Sequence, residues 1–336
     1  MKQLQTIDAD TLLCTPLPVT KFIVEGLLSE GLHILAGSPK VGKSWLALWI
    51  CFQVSKGEPV WGLPTTPGTV LYLCLEDSYA RIQNRLFQLT DDASNTLHFA
   101  NLSGSIGGGL ETQISAFLSE HPDTNLIVID TLQKIRDIIP DTNSYASDYR
   151  DLSSLKSLAD SYHIAIVLIH HLRKMKDDDP MNMISGTTGI SGAADSNFVR
   201  KRKDRNSPRA ELHCTGRDIE SRVLELCFQK ETHTWELSKP IESEEETADP
   251  ELIFLSEFLK QLHAFTGTAT ELSALLEHET GETISPSVLS KKLVRHASSL
   301  DKFGIHVSGN RTRDIRLLCI KCNACDSNDG SDGKNG

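Results

Sequence analysis

This sequence of 336 residues has no apolar run approaching the roughly 20 residues that a helix needs to cross a bilayer. Its opening segment, MKQLQTIDADTLLC, lacks the basic and apolar blocks of a signal peptide. An excess of positive charge is also missing, because 34 Lys and Arg stand against 45 Asp and Glu, which gives a net charge of −11. We therefore expect a cytoplasmic protein without a membrane segment, and the overall charge argues against a protein that coats nucleic acid through a basic surface.

A disulfide framework is not indicated either. The eight cysteines are scattered along the chain, and those within apolar segments are typical of a reducing compartment. These are Cys51, Cys74, Cys214 and Cys227. Near the C-terminus, Cys319, Cys322 and Cys325 have the spacing C-x-x-C-x-x-C. Zinc normally takes four ligands and no fourth is obvious nearby, so metal binding by these three cysteines stays open.

Apolar runs of strand length alternate with segments of helix length up to Asp195. Strands are predicted at GLHILA, TVLYLCLED, LHFANL, NLIVID and HIAIVLIHH, and helices at WLALWICFQV, SYARIQNRLFQL and DYRDLSSLKSLADSY. Strands that are apolar on both faces, between amphipathic helices, are typical of an α/β fold with a mainly parallel sheet. After Asp195 the segments SNFVRKRK, RAELHCTGR, SRVLELCFQ and THTWEL alternate apolar and polar residues, which predicts an antiparallel extension of the same sheet.

The chain is predicted to hold two domains and a tail. Residues 1–240 form the α/β domain, with residues 1–30 packing on it, and the acidic run at 241–250 is a linker. Residues 251–321 are predicted to form helices followed by a β-hairpin, which is the element order of a winged helix. The low-complexity residues 322–336 are predicted to be disordered.

The segment GSPKVGKS matches the phosphate-binding motif G-x-x-x-x-G-K-[ST] and lies between a predicted strand and a predicted helix. Backbone N–H groups of such a loop surround a phosphate, and the helix N-terminus adds partial positive charge. In this pattern Lys43 contacts the β- and γ-phosphate oxygens and Ser44 binds Mg²⁺. We therefore expect ATP and Mg²⁺ as cofactors. The predicted nucleotide-binding residues are Gly37, Ser38, Pro39, Lys40, Val41, Gly42, Lys43, Ser44 and Trp45.

Carboxylates are expected at the ends of the strands beside this loop. NLIVID ends in Asp130, as a Walker B strand does, and its aspartate is predicted to hold Mg²⁺. Glu76 is the first carboxylate to emerge from TVLYLCLED, so we predict that it orients the attacking water, with a capping role as the alternative. Asp77 is predicted to cap the following helix.

Two adjacent histidines, His170 and His171, end the strongest predicted strand. If this strand lies beside the Asp130 strand, its carboxyl end faces the same crevice as the phosphate loop. An imidazole there can donate a hydrogen bond to the γ-phosphate and lose it on hydrolysis. We therefore favour a nucleotide sensor over a polar cap, and a zinc site lacks companion ligands at suitable spacing.

Five segments, in order, resemble the RecA-like P-loop ATPases related to the plasmid RepA-type hexameric replicative helicases. They are GLHILAGSPKVGKSWLALWI, VLYLCLEDSYARIQNRL, LIVIDTLQKI, IVLIHHLRK and SGTTGISGAADSNFVRKR, and they cover about residues 15–240. The resemblance implies a RecA-like fold, with Lys43 in the phosphate loop, Glu76 as the catalytic glutamate and Asp130 as the Walker B aspartate. It also implies that His170 or His171 senses the γ-phosphate.

The same resemblance implies an arginine finger from a neighbouring subunit, for which the matching segment offers Arg200 or Arg202. It further implies a homo-oligomeric ring, plausibly a hexamer, with ATP between subunits and single-stranded DNA in the central channel. The loops that follow the Asp130 strand and the histidines would face that channel. Their basic residues, expected to contact DNA phosphates, are Lys134, Arg136, Arg173, Lys174 and Lys176.

The predicted winged helix is locally basic within an acidic protein, which favours contact with duplex DNA over protein docking. Its basic residues in the recognition helix and wing are Lys291, Lys292, Arg295, Arg311 and Arg313. The first interpretation is thus a DNA-dependent ATPase, an oligomeric helicase or helicase-like motor of a plasmid, phage or integrated element. The alternative is an ATP-switched DNA-binding regulator or helicase loader that does not separate strands. A small-molecule phosphotransferase would leave the C-terminal module unexplained.

Overall fold

The computed structural model describes residues 4, 6–17, 19–136, 144–173, 177–202, 207–239, 241, 249–311 and 316–322. The chain divides into two units, of which the larger is Thr20–Glu242 and the smaller joins Met1–Val19 to Ser243–Gly336. Helix α1 (Ala9–Leu13) belongs to the smaller unit, where Asp10 forms a 2.9 Å ion pair with Lys291. The division therefore differs from the predicted packing of residues 1–30 on the ATPase domain, since the segment up to Val19 groups with the C-terminal residues.

The larger unit begins with a short antiparallel hairpin, β1 (Phe22–Val24) and β2 (Leu28–Ser29). Its main sheet has the spatial order β11-β10-β9-β8-β3-β7-β6-β4-β5 among the described residues. The strands are β3 (Gly31–Gly37), β4 (Thr69–Cys74), β5 (Leu97–Ala100), β6 (Thr124–Asp130), β7 (Ala165–His171), β8 (Ser196–Lys201), β9 (Arg209–Gly216), β10 (Arg222–Phe228) and β11 (Trp235–Leu237).

Pairing in this sheet confirms the predicted mixed architecture with one correction. Strands β5, β4, β6, β7, β3 and β8 are mutually parallel, and β9, β10 and β11 extend the sheet with antiparallel pairs. The sequence pattern predicts that the antiparallel extension begins at SNFVRKRK, but β8 runs parallel to β3. A crossover through α6, rather than a hairpin, connects β7 to β8, and such a crossover returns the chain in the parallel sense.

Helices cover both faces of the sheet, as strands that are buried on both sides require. They are α2 (Lys43–Lys56), α3 (Tyr79–Leu89), α4 (Leu110–Glu120), α5 (Ser144–Tyr162) and α6 (Thr188–Ala193). One core joins Leu46 of α2 to the sheet residues Leu126 and Val167. The opposite core joins Ile114 of α4 and Leu155 of α5 to the other face. Alternate residues of each strand thus enter opposite cores, and the strand ends are fixed from both sides.

The smaller unit has its own apolar core. After α1 its elements are α7 (Pro250–Leu262), β12 (Ala264–Gly267), α8 (Ala269–Thr280), α9 (Pro286–Arg295), α10 (Ala297–Lys302), β13 (Ile305–Arg311) and β14 (Arg316–Cys322). The strands form a sheet in the order β12-β14-β13 with antiparallel pairs. The predicted third helix is divided, since α9 ends at Arg295 and α10 begins at Ala297. Strand β12 is not predicted from the sequence, because the four residues AFTG are too few to show an alternation of apolar and polar side chains.

The described helices include none that is both long enough and apolar enough for a membrane span.

Candidate nucleotide-binding site

The phosphate loop connects the end of β3 to the beginning of α2. Gly42 has a φ of 87°, in the left-handed region that favours glycine. A Cβ built on Gly37 would lie 3.1 Å from the carbonyl oxygen of Arg200 and 3.1 Å from Cδ of Lys43. Both fixed glycines of the motif therefore have a physical reason, one in backbone conformation and one in close approach.

The side chain of Lys43 folds back onto its own loop. Its Nζ donates hydrogen bonds of 2.7 Å to the carbonyl oxygen of Gly37 and 3.1 Å to that of Ser38. Burial, together with the nearby charge of Arg200, lowers the pKa of Lys43 to about 8, while the charges of Asp130 and Glu76 oppose the shift. An ammonium that is buried with carbonyl partners can exchange them for phosphate oxygens when a nucleotide enters the loop.

Asp130 ends β6 as predicted and is buried. The hydroxyl of Tyr72 donates a 2.9 Å hydrogen bond to its Oδ2. Burial raises the pKa of Asp130, whereas hydrogen bonds from Ser44 and Tyr72 act in the opposite direction. Because Ser44 and Asp130 are hydrogen-bonded partners, the two predicted Mg²⁺ ligands lie together. Sequence reasoning missed Tyr72, although a hydroxyl inside the apolar strand TVLYLC was a usable signal.

Glu76 is exposed just beyond the end of β4, which is paired with β6. The hydroxyl of Thr131 donates a 3.3 Å hydrogen bond to Oε1 of Glu76, so the two strand ends are linked directly. The prediction that Asp77 caps the next helix is wrong. Ser78 accepts the capping hydrogen bond of α3, and Asp77 forms ion pairs of 2.7 Å with both Arg81 and Arg85.

The two histidines point in different directions. Burial lowers the pKa of His171, as does the charge of Lys43, while Glu76 and Asp130 oppose the shift. These influences place His171 with the charged groups of the phosphate loop. His170 is buried, and its Nε2 lies 2.8 Å from the carbonyl oxygen of Ser185, to which it donates a hydrogen bond. His170 thus anchors the following segment, and His171 is the residue positioned to face a nucleotide.

Arg200 contradicts its predicted role as an arginine finger for a neighbouring subunit. Its side chain is completely buried, and its guanidinium carbon lies 3.5 Å from the ring centroid of Trp235. A Cβ built on Gly42 would lie 3.0 Å from Nη1 of Arg200. A side chain sealed behind its own phosphate loop cannot reach another subunit. Arg202, whose guanidinium carbon lies 4.9 Å from the same ring centroid, is partly buried and remains a predicted finger.

A cleft of about 760 Å³ opens beside the loop, and its walls include Ser38, Leu172, Asp177 and Arg202. Trp45, predicted to contact the nucleotide, stacks on His233 with ring centroids 5.0 Å apart. The remaining loop residues, Pro39, Lys40 and Val41, lie in the turn between β3 and α2. A ligand can therefore reach the phosphate loop through this cleft.

Of the five basic residues expected in the channel loops, the structure describes three, and two of these form ion pairs with carboxylates. Arg136 forms ion pairs of 2.6 Å with Asp148 and 2.9 Å with Asp151, so its charge already has partners, and its contact with DNA phosphates stays a prediction. Arg173 lies 3.7 Å from Asp177, whereas Lys134 is exposed at the end of a 3₁₀ turn. Lys174 and Lys176 fall outside the described residues.

In the smaller unit, Lys292 forms a 2.6 Å ion pair with Glu251, and Lys291 pairs with Asp10 as described above. Arg295 is exposed at the end of α9. Arg311 lies in β13, while Arg313 falls outside the described residues. The predicted duplex contacts on α9 are therefore reduced to one exposed arginine and two lysines that already have carboxylate partners.

The cysteine motif is described in part. Cys319 and Cys322 lie on β14, and Cys325 falls outside the described residues. Within the part of the chain that the structure describes, the group of side chains close enough to share a metal ion contains no cysteine and consists of Asp249, Glu251 and His296.

Residues 2–177, which include the phosphate loop, Glu76, Asp130 and both histidines, match the protein family described as AAA domain. The chain belongs to the AAA domain family. It is a P-loop ATPase with a RecA-like fold.

Solved structures share this fold. One solved ATPase domain superposes with a TM-score of 0.52 at 16% identity, over 62% of this chain and 85% of that chain. A DnaB-like replicative helicase, solved in a study of its interactions with primase, gives a TM-score of 0.51 at 16% identity, over 61% of this chain. The match covers 58% of that helicase chain, so the present chain spans little more than half of it. No curated protein matches the sequence.

Proposed function

We propose that this chain is an oligomeric, Mg²⁺-dependent and DNA-dependent ATPase, a replicative helicase or helicase-like motor of a plasmid, phage or integrated element. The observation that carries the proposal is the convergence of Lys43, Glu76, Asp130 and His171 at the carboxyl ends of adjacent parallel strands. Active sites of open α/β sheets lie at this edge. The fold shared with a DnaB-like replicative helicase supports a motor over other uses of the site.

Each residue has a defined part in this proposal. Lys43 releases the carbonyl oxygens of Gly37 and Ser38 and binds the β- and γ-phosphates. Ser44 and Asp130 offer the hydroxyl and carboxylate oxygens that Mg²⁺ prefers. A Mg²⁺ ion bound by these two residues would neutralise charge on the phosphate oxygens.

Glu76 is exposed and oriented by Thr131, which suits a group that holds the attacking water. Burial lowers the pKa of His171, which favours the neutral imidazole. A neutral imidazole still carries one N–H donor, which is sufficient to contact a γ-phosphate. When hydrolysis removes that contact, the resulting change at His171 would be transmitted along β7 to the segment that His170 anchors at Ser185.

The proposed assembly is a homo-oligomeric ring, such as a hexamer, with single-stranded DNA in its channel. Exposed Lys134 supports a phosphate contact in the channel. Arg202 beside the cleft is the proposed finger. The order of helices and strands in the smaller unit supports a winged helix, for which exposed Arg295 at the end of α9 is the proposed contact to duplex DNA.

A second candidate is an ATP-switched DNA-binding regulator or helicase loader without strand separation. The pairing of Arg136 with Asp148 and Asp151, and of Arg173 with Asp177, favours it, because these ion pairs withdraw positive charge from the proposed channel.

The test is the steady-state rate of ATP hydrolysis with Mg²⁺, measured without DNA, with single-stranded DNA and with duplex DNA. Lys43→Ala serves as the blank because it removes the phosphate-binding ammonium. Stimulation by single strands of about ten-fold or more would support the motor. A rate that single strands leave unchanged, together with tight duplex binding, would refute the motor and favour the regulator or loader.

A further inference from the structure

Arg200 is a buried cation that forms no ion pair with a carboxylate among the described residues. It lies in β8 in register with Gly37, and none of its side chain is exposed. Nε, Nη1 and Nη2 all lack a hydrogen-bond partner among the residues that the structure describes. Burying a charged group without a compensating charge is strongly unfavourable. The buried guanidinium of Arg200 therefore carries a charge that its described surroundings do not fully compensate.

The groups around Arg200 compensate its charge only in part. One face of the guanidinium stacks on Trp235, an arrangement that offsets part of the loss of hydration. Two residues that interact electrostatically with Arg200, Arg202 and Lys43, are themselves cations. Burial and Arg202 accordingly lower the pKa of Arg200 to about 9.

The position of Arg200 indicates where a compensating anion would arrive. Its Nη1 lies 3.0 Å from the site of a Cβ on Gly42, the residue immediately before the helix that begins at Lys43. A nucleoside di- or triphosphate places several negative charges within this loop. In a buried environment of low dielectric, charges interact strongly across several ångströms without direct contact.

We infer that Arg200 is a positioning residue in cis. Its buried charge, held on Trp235 behind the phosphate loop, increases the affinity of the same chain for the phosphates of a nucleoside di- or triphosphate. In the absence of nucleotide the charge destabilises the fold, and bound phosphates compensate it. The inference rests on nucleotide binding by the loop and is independent of DNA or assembly, so its failure and the failure of the helicase proposal are distinguishable.

The test compares the full-length wild-type protein with Arg200→Met, which keeps a long apolar side chain against Trp235 but removes the charge. Two quantities are measured, the thermal unfolding midpoint without nucleotide and the dissociation constant for ADP. Arg200→Met is expected to unfold at the same temperature as the wild type or higher, and to bind ADP about ten-fold more weakly or worse. Arg200→Lys, which keeps the charge, is expected to bind ADP within about three-fold of the wild type.

Arg209→Met is the matched control, because Arg209 is exposed on the neighbouring strand β9. It is expected to change neither quantity. A purely structural role for Arg200 predicts the reverse pattern. An Arg200→Met protein that fails to fold, unfolds at a lower temperature, or binds ADP as the wild type does would overturn the inference.

Discussion

Gly37 and His171 are paired residues at the ends of neighbouring parallel strands, β3 and β7. Gly37 is the first residue of the phosphate loop, so this register brings the second histidine of the pair to the loop. Side chains alternate between the faces of a strand, and His170 therefore turns away and bonds to Ser185. The two adjacent histidines have different tasks, one toward the nucleotide and one toward the following segment.

This division predicts that His171→Ala, which removes the side-chain donor, slows ATP hydrolysis without preventing ATP binding. Loss of a donor to the γ-phosphate is expected to lower kcat about 100-fold, with ATP affinity within about three-fold of the wild type. Single-turnover hydrolysis and binding of a fluorescent ATP analogue measure the two quantities. His163→Ala is the control, since His163 is exposed with its Nδ1 3.0 Å from a carboxylate oxygen of Glu30, away from the loop. Equal loss of activity in both variants would contradict the assignment.

The lowered pKa of Lys43, about 8, predicts that nucleotide affinity depends on pH. Bound phosphates stabilise the ammonium and raise its pKa. Below pH 8 the free protein already carries the charge, so affinity is constant. Above pH 8 binding requires proton uptake, and ADP affinity is expected to fall by up to about ten-fold per pH unit. Calorimetry at pH 9 in two buffers of different ionisation enthalpy should detect this proton, and its absence would argue against a lysine–phosphate contact.

His33 predicts a loss of stability in mild acid. It is completely buried in β3, its Nε2 lies 2.8 Å from the carbonyl oxygen of Ser29, and burial lowers its pKa to about 4. The unfolded chain takes up the proton near pH 6.5, whereas the folded protein resists it. The free energy of unfolding should therefore decrease as the pH falls from about 6.5 to 4, by about 3 kcal/mol from this residue.

Chemical denaturation of the wild type and His33→Gln at several pH values measures that contribution. The glutamine keeps a donor for Ser29 but does not titrate. The difference between the two unfolding free energies should change across this pH range in the direction that favours the variant in acid. A difference that is independent of pH would show that His33 does not resist protonation.

The sequence predicted those parts of the site that depend on local spacing or on strand order. The phosphate loop has fixed positions, and parallel strands place their carboxyl ends at one edge, so Lys43, Asp130 and the histidine strand could be located in advance. Arg200 was misassigned because the alternation in NFVRKR identifies a strand but not the depth at which its residues lie. The pairing of Arg136 also escaped prediction, because Asp148 and Asp151 come from a helix whose packing is set by the tertiary fold.

The boundaries of the helices in the smaller unit likewise depend on tertiary packing that the local sequence pattern does not reveal. The three predicted helices are present, but the last is divided at His296, whose backbone leaves helical geometry with a ψ of 7°. The segment up to Val19 groups with this unit, a long-range association to which no periodicity in either segment points.

The most direct test of the account is the hydrolysis rate of Glu76→Gln. The variant keeps the shape of the side chain and an oxygen for Thr131 but removes the carboxylate that orients water. ATP binding should stay within about three-fold of the wild type, while turnover should fall about 100-fold or more. Asp77→Asn is the matched control, because the neighbouring carboxylate pairs with Arg81 and Arg85. A Glu76→Gln protein that hydrolyses ATP as fast as the wild type would contradict the proposed catalytic site.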